Sequence, residues 1–139
     1  MREMTESAQE RTKRHEGCRF KPYKDSEGIL TVGYGRNLEA VVFSQGEVDL
    51  MFKNDWAWAK QNAETFIVYE HLNEVRRGVL IEMVFQIGVR GVKKFKRFLG
   101  AARKGNYEQA HDEMIDSKWH SQTPSRCEEL AKIFLEGRD

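Results

Sequence analysis

Cysteine is scarce in this chain of 139 residues: Cys18 and Cys127 are the two, far apart in sequence. That count supports neither a disulfide framework nor a cysteine metal site, and it sets the expectation of free thiols and a reducing compartment of synthesis. Net charge is scarce too. The 23 Lys and Arg against 22 Asp and Glu leave a formal +1, so no general field draws polyanions and no nucleic-acid partner is expected. Long apolar runs are missing, none approaching the roughly 18–20 residues that span a bilayer. The opening residues 1–14 are charged throughout and lack the apolar centre of a cleavable signal, which predicts synthesis in a cytoplasm. His15, His71, His111 and His120 share no ligand spacing, so neither metal nor cofactor is expected. Internal repeats and low-complexity segments are absent.

What the chain does contain reads as a folded globular protein: 40% hydrophobic and 32% charged residues. Its length suits one domain, or one domain with two lobes, around a real core. One local charge exception stands out. Arg90, Lys93, Lys94, Lys96, Arg97, Arg103 and Lys104 follow one another with no acid between them. A solvated helix face is the plain reading of that run; contact with an acidic polymer, such as a glycan, is the sharper one, with nucleic acid behind it.

Residues 5–15 have helix propensity but a thin apolar stripe, Met4 and Ala8, and Gly17 supplies a stop. Phe20 to Lys24 and Ile29 to Tyr34 read as two strands about Asp25-Ser26-Glu27-Gly28, with Pro22 suited to an edge. Beyond Leu38 the helical period takes over. Ser44-x-x-Glu47 is a capping box before a helix from about Gln45 to Thr65, long enough to join two lobes. Asn73 to Ile87 is rich in large apolar residues and reads as a buried central helix broken by Gly88 and Gly91. Val92 to Arg103 follows as a basic helix ended by Gly105. Asn106-x-x-Gln109 opens another, running to about Ser117 or Lys118. Thr123-Pro124 is an N-cap with proline at the first helical position, leading into Ser125 to Glu136. The expected fold is α+β and mainly helical: a small hairpin lobe at about 16–43, a connecting helix at about 45–65 and a helical lobe at about 66–139 that also takes in the N-terminal helix 5–15, with a cleft between the lobes.

The hairpin carries the chemistry. In HEGCRFKPYKDSEGILTVGYGR, residues 15–36, a glutamate closes a helix, an aspartate opens the turn and a threonine follows on the second strand. Each has a bland explanation: Glu16 as a solvated helix end, Asp25 as a turn former that binds backbone amides. Alternation places Leu30, Val32 and Tyr34 on one face, expected buried. It places Ile29, Thr31, Gly33 and Gly35 on the other, so that Thr31 would look over a cleared surface. Two carboxylates across a groove suit glycoside hydrolysis, and a hairpin that binds sugar without cutting it is the competing reading. The tryptophans Trp56, Trp58 and Trp119 read as core more than as sugar platforms.

Glu16-Gly17, Tyr23-Lys24-Asp25, Gly28 and Leu30-Thr31-Val32-Gly33-Tyr34-Gly35 resemble the phage-type lysozymes, the family of the T-even phage endolysin. The likeness continues through VRR and MVFQIG within 73–88 and returns at SKWHSQTPSR, 117–126. It implies a lysozyme-like fold over the whole chain as a single domain. It also implies a muramidase cutting the β-1,4 bond between N-acetylmuramic acid and N-acetylglucosamine, by inversion, and causing cell lysis. Glu16 matches the general acid, Asp25 the second carboxylate and Thr31 the hydroxyl that helps hold the attacking water. Phe85, Gln86 and Asn37 match substrate-binding positions, and Arg126 matches a substrate-binding arginine near the catalytic acid, where it would steady that carboxylate or the glycan. The implied partner is the peptidoglycan glycan strand, met by a monomer that reaches the wall with a holin-type permeabilising protein. A lytic transglycosylase and a non-catalytic wall-binding module remain the alternatives. The sequence departs from the family at Arg36, where histidine is frequent, in a more polar first helix bearing Arg11, Thr12 and Arg14, and in a short link from Asn37 to Phe43. An Arg36–carboxylate pair is expected to take over the support that histidine gives.

Overall fold

The computed structural model describes residues 5–138. Met4, assigned above to the stripe of the first helix, lies outside them. The chain divides between Glu47 and Val48 into two compact units.

The first unit begins with α1 (Ala8–Glu16), whose N-cap Ser7 accepts a hydrogen bond from the Glu10 amide at 3.1 Å. Gly17, at φ 72°, ends it, since an L side chain is strained in that left-handed region. No residue of α1 is buried. Its arginines look outward, and Arg14 grips Glu6 through Nε and Nη2 at 2.9 and 2.8 Å. Three antiparallel strands follow in spatial order: β1 (Arg19–Lys24), β2 (Leu30–Gly33) and β3 (Arg36–Asn37). Pro22 sits on the edge strand β1, where a missing N–H is tolerated, and the register there slips between Arg19 and Tyr23.

The sequence pattern suggests one strand running through to Tyr34; the structure instead stops it at Gly33 and turns back into β3. Gly33 and Gly35 take φ of 67° and 72°, which makes the reversal around Tyr34 possible and ends the extended run. The burial pattern also differs from expectation. Thr31 is buried, whereas Leu30 and Tyr34 are 39% and 50% exposed. The cause is pairing. Thr31 lies on the central strand opposite Tyr23 on one side and Asn37 on the other, and directly opposed residues share a face.

The second unit holds most of α2 (Gln45–Ala63), then a 3-10 turn (Ile67–His71), α3 (Glu74–Lys93), α4 (Lys96–Arg103), α5 (Tyr107–Ile115), α6 (Lys118–Gln122) and α7 (Pro124–Glu136). The capping box before α2 forms as expected: Glu47 N–H donates to Ser44 Oγ at 3.2 Å and Ser44 N–H to Glu47 Oε1 at 2.9 Å. Asn106 likewise accepts from the Gln109 amide and opens α5. Gly88 breaks α3 at φ 75° and ψ 169°. The expected helix from Val92 to Arg103 is two pieces. Val92 and Lys93 finish α3, the chain bends at Lys94-Phe95, and α4 starts at Lys96; Gly91 lies inside α3. Pro124 opens α7, but Thr123 does not cap it, because its hydroxyl turns back to donate to the Trp119 carbonyl at 3.3 Å.

The core of this unit is the buried set on α3, α4, α5 and α7, with Leu80, Met83, Val84, Phe98, Met114, Cys127 and Phe134 fully enclosed. Phe98 and Phe134 tilt together at 5.1 Å and Phe95 meets the edge of Trp119 at 6.2 Å. Arg76 ties the start of α3 to the end of α7. Its Nε and Nη2 donate to the Phe134 and Leu135 carbonyls at 2.7 and 3.1 Å, while its guanidinium lies 3.5 Å from the Tyr107 ring centre. The fold is α+β and mainly helical with a small antiparallel sheet. No described helix is long and apolar enough to cross a membrane.

Candidate active site

The register of the hairpin gathers one set of side chains. Tyr23, Thr31 and Asn37 form a row across the three strands, and the Asp25 amide bonds the Ile29 carbonyl at 2.9 Å in the same register. Asp25 and Thr31 therefore share a face of the sheet. Asp25 also does what a turn aspartate does: its Oδ1 accepts from the amides of Glu27 and Ile29 at 2.8 and 2.9 Å. Both bonds fall on one oxygen, and Oδ2 has no hydrogen-bond partner among the described residues. Thr31 donates its hydroxyl proton to the Ile29 carbonyl at 2.9 Å, so the oxygen's lone pairs face away from that bond and can accept. Asn37 Oδ1 accepts from the amides of Glu39 and Ala40, and its Nδ2 hydrogens have no partner among the described residues.

Glu16 closes α1 and is exposed. Its side chain lies along the second glycine of the Gly-Tyr-Gly turn, and a Cβ on Gly35 would stand 2.5 Å from Glu16 Oε2. The sequence marks Gly35 as a small position on a strand; its actual use, clearing room for the carboxylate, depends on a turn that the pattern did not reveal. Beside it, Arg36 takes the carboxylate of Glu47 with both terminal nitrogens and lies over the Phe43 ring at 4.9 Å. The Ser44 amide, then the Arg36 guanidinium, hold the Glu47 carboxyl below its usual range. The expected Arg36–carboxylate pair is thus present, with the capping glutamate of α2 as partner.

Three further residues belong to the second unit. Phe85 is partly exposed in an aromatic group with Phe52 at 5.7 Å and Trp56 at 6.3 Å. Gln86 is bonded at both ends of its amide: Oε1 accepts from Trp119 Nε1 at 2.9 Å and Nε2 donates to Thr123 Oγ1 at 3.2 Å. Arg126 is exposed on α7, and its charge opposes a rise in the Glu82 carboxyl pKa caused first by burial and added to by Glu129. Sequence reasoning missed Glu82 as a neighbour of Arg126, because residues on separate helices leave no spacing signal. Trp119 is core, as expected, while Trp58 is half exposed. Cys18 is an exposed free thiol and Cys127 a buried one, its pKa raised to about 11 by burial. Among the described residues no group of three or more His, Cys, Asp or Glu is arranged to hold a metal.

A mainly helical fold whose small sheet presents a carboxylate and a hydroxyl on one face, beside a helix-end glutamate, has the parts of a glycoside hydrolase. The chain belongs to the phage lysozyme family, whose model matches residues 13–132. It is similar to probable T4-type lysozymes 1 and 2 of Dictyostelium discoideum, at 26% and 28% identity over 96% of this chain and 96% of each relative. Each alignment runs over 164 positions, more than this chain has residues, so those relatives carry segments that it lacks. It is also 30% identical, over 94% of its length, to 28% of the pre-baseplate central spike protein Gp5 of Enterobacteria phage T4. The chain is accordingly a glycoside hydrolase of the lysozyme type, with peptidoglycan as its substrate.

Proposed function

We propose that this lysozyme is a muramidase, cutting the β-1,4 bond between N-acetylmuramic acid and N-acetylglucosamine with inversion at the anomeric carbon. Glu16 protonates the glycosidic oxygen. Asp25, through Oδ2, and Thr31, through its oxygen lone pairs, hold and activate a water on the opposite face of the sugar. The observation that carries this reading is the shared sheet face of Asp25 and Thr31, with Asp25 locked by two amides and Thr31 by the Ile29 carbonyl. Groups held this way need little reorganisation when the reaction begins. Inversion requires about 6.5–9.5 Å between the two carboxyl groups so that a water fits, while about 5 Å would suit a covalent intermediate.

Residues 1–139 act as one lysozyme domain. Asn37 offers its Nδ2 hydrogens to the glycan, Phe85 an exposed ring edge, Gln86 its second amide hydrogen and Arg126 its guanidinium. The chain works as a monomer made in a cytoplasm, reaches the wall with a holin-type permeabilising protein and lyses the cell.

Digesting purified peptidoglycan and following the products by mass spectrometry and anomeric-proton NMR tests this. Reducing muramic ends that first appear with inverted configuration are expected. 1,6-Anhydro ends would make it a transglycosylase, and early retention would replace the single displacement with a covalent route. Glu16→Gln should lower the rate by at least about a hundredfold, the lower range for loss of a general acid. Full clearing of a wall suspension by that variant would leave binding without catalysis as the function of the hairpin.

A further inference from the structure

Seven of the 23 cations stand in the acid-free run from Arg90 to Lys104, which leaves 16 cations against all 22 acids in the rest of the chain. The structure keeps this run together on the second unit. It covers the last turn of α3, all of α4 and the bend between them, and every one of the seven side chains is exposed. No ion pair within the described residues uses any of them. Seven like charges in so small an area repel one another, and a surface that only needed solubility would intersperse acids.

The shape beside the cations narrows the partner. An open groove of about 340 Å³ runs along α4, with Phe66, Ile67 and Leu99 as its floor and Lys93 and Arg103 on its rim. No acid lines it. A second groove, on residues that include Lys94, Lys96 and Arg97, also carries Glu113 and Asp116, so the acid-free side is the one suited to a polyanion. We propose that this groove is an exosite for a linear phosphodiester polymer of the poly(glycerol phosphate) kind, with phosphates at Lys93 and Arg103 and the carbon backbone over the apolar floor. The remaining five cations extend the attraction along the strand.

Two alternatives fit less well. A bilayer needs apolar side chains to insert, yet Val92 and Phe98 are buried, Phe95 and Leu99 are half-buried, and Ile67 is the one large apolar side chain exposed at the groove. Single-stranded nucleic acid needs rings on which bases stack, and Phe66, the one ring lining the groove, is half-buried.

Titrating the whole protein with poly(glycerol phosphate) in a salt series from about 50 to 200 mM tests the assignment. Affinity should fall linearly on a log–log plot. Lys93→Gln with Arg103→Gln should make the slope shallower by about two, one per lost phosphate contact, with unchanged circular dichroism. Lys60→Gln with Lys132→Gln, exposed cations outside the run, should leave the slope as it was. The idea is overturned by no measurable binding at the lowest salt, by equal effects of the two double variants, or by tighter binding to single-stranded DNA or phosphatidylglycerol vesicles. Hydrolysis of polymer-stripped peptidoglycan should be equal in the wild type and both double variants. The binding result therefore stands or falls apart from the catalytic assignment.

Discussion

Glu16 Oε2 and Gly35 are neighbours so close that the glycine's second hydrogen occupies the only space between them: a Cβ there would lie 2.5 Å from the carboxylate oxygen. Gly35 also takes φ 72°, where an L side chain costs about 1–2 kcal/mol. Gly35→Ala should therefore lower stability by about that amount and push the Glu16 carboxyl off its position. With Glu16 as the acid, wall-clearing activity should fall far more than the fraction folded. Thermal melting and turbidity measured on the same preparation separate the two; unimpaired clearing would show that the placement of Glu16 does not matter.

Thr31 offers a cleaner division between structure and chemistry. Its hydroxyl donates to Ile29 from a buried site, so Thr31→Val should cost about 1 kcal/mol for one lost hydrogen bond. Thr31→Ser keeps the hydroxyl. If the oxygen holds the attacking water, kcat should fall at least about tenfold in the valine variant, the size of about one hydrogen bond, and recover in serine. A valine variant whose kcat is unchanged would confine Thr31 to folding.

Arg36 and Glu47 make stability respond to acid. The Glu47 carboxyl titrates below its unfolded value in the folded protein, so its contribution is complete above that value and is lost as pH falls through the folded one. Arg36→Ala should lower Tm at neutral pH, and the gap from wild type should narrow in acid as Glu47 is protonated. Melting curves from pH 7 down to about 3, below the carboxylate range, report this. A gap that is constant with pH would mean that Arg36 acts by covering Phe43, not by its charge.

Glu82 has the opposite sign. Burial raises its carboxyl pKa, so the folded state holds that proton more tightly than the unfolded chain, and stability falls as pH rises from the unfolded value through the folded one. Glu82→Gln should raise Tm at neutral pH and make no difference in strong acid. A drop at neutral pH would show that the attraction to Arg126 outweighs burial.

Gln86 holds the Trp119 indole N–H and the Thr123 hydroxyl in one chain of bonds, and Trp119 is 3% exposed. Gln86→Leu leaves a buried donor without an acceptor, at about 1–3 kcal/mol. Denaturant midpoints should fall accordingly. An unchanged midpoint would mean that water enters to replace the amide.

The elements with a local cause were legible in sequence. Ser44-x-x-Glu47 and Asn106-x-x-Gln109 announce helix starts because the cap needs only residues three apart. Gly88 and Gly105 announce breaks because only glycine takes their φ values without strain. The short helix α6 and the strand β3 were not legible. Five residues and two are too few to show a period, and β3 exists only because Gly33 and Gly35 fold the chain back on β2.

By itself, the sequence determined the kind of protein: the order of helices and hairpin, the edge place of Pro22, and the trio Glu16, Asp25 and Thr31 that resembles the phage lysozymes. Only the tertiary structure decided which surfaces those residues use. Pairing with Tyr23 and Asn37 buried Thr31, Gly35 opened the space that Glu16 fills, and Thr123 left its cap for Trp119 and Gln86. Local propensity acts over three or four residues, whereas burial and side-chain pairing depend on segments distant in sequence that meet only after folding.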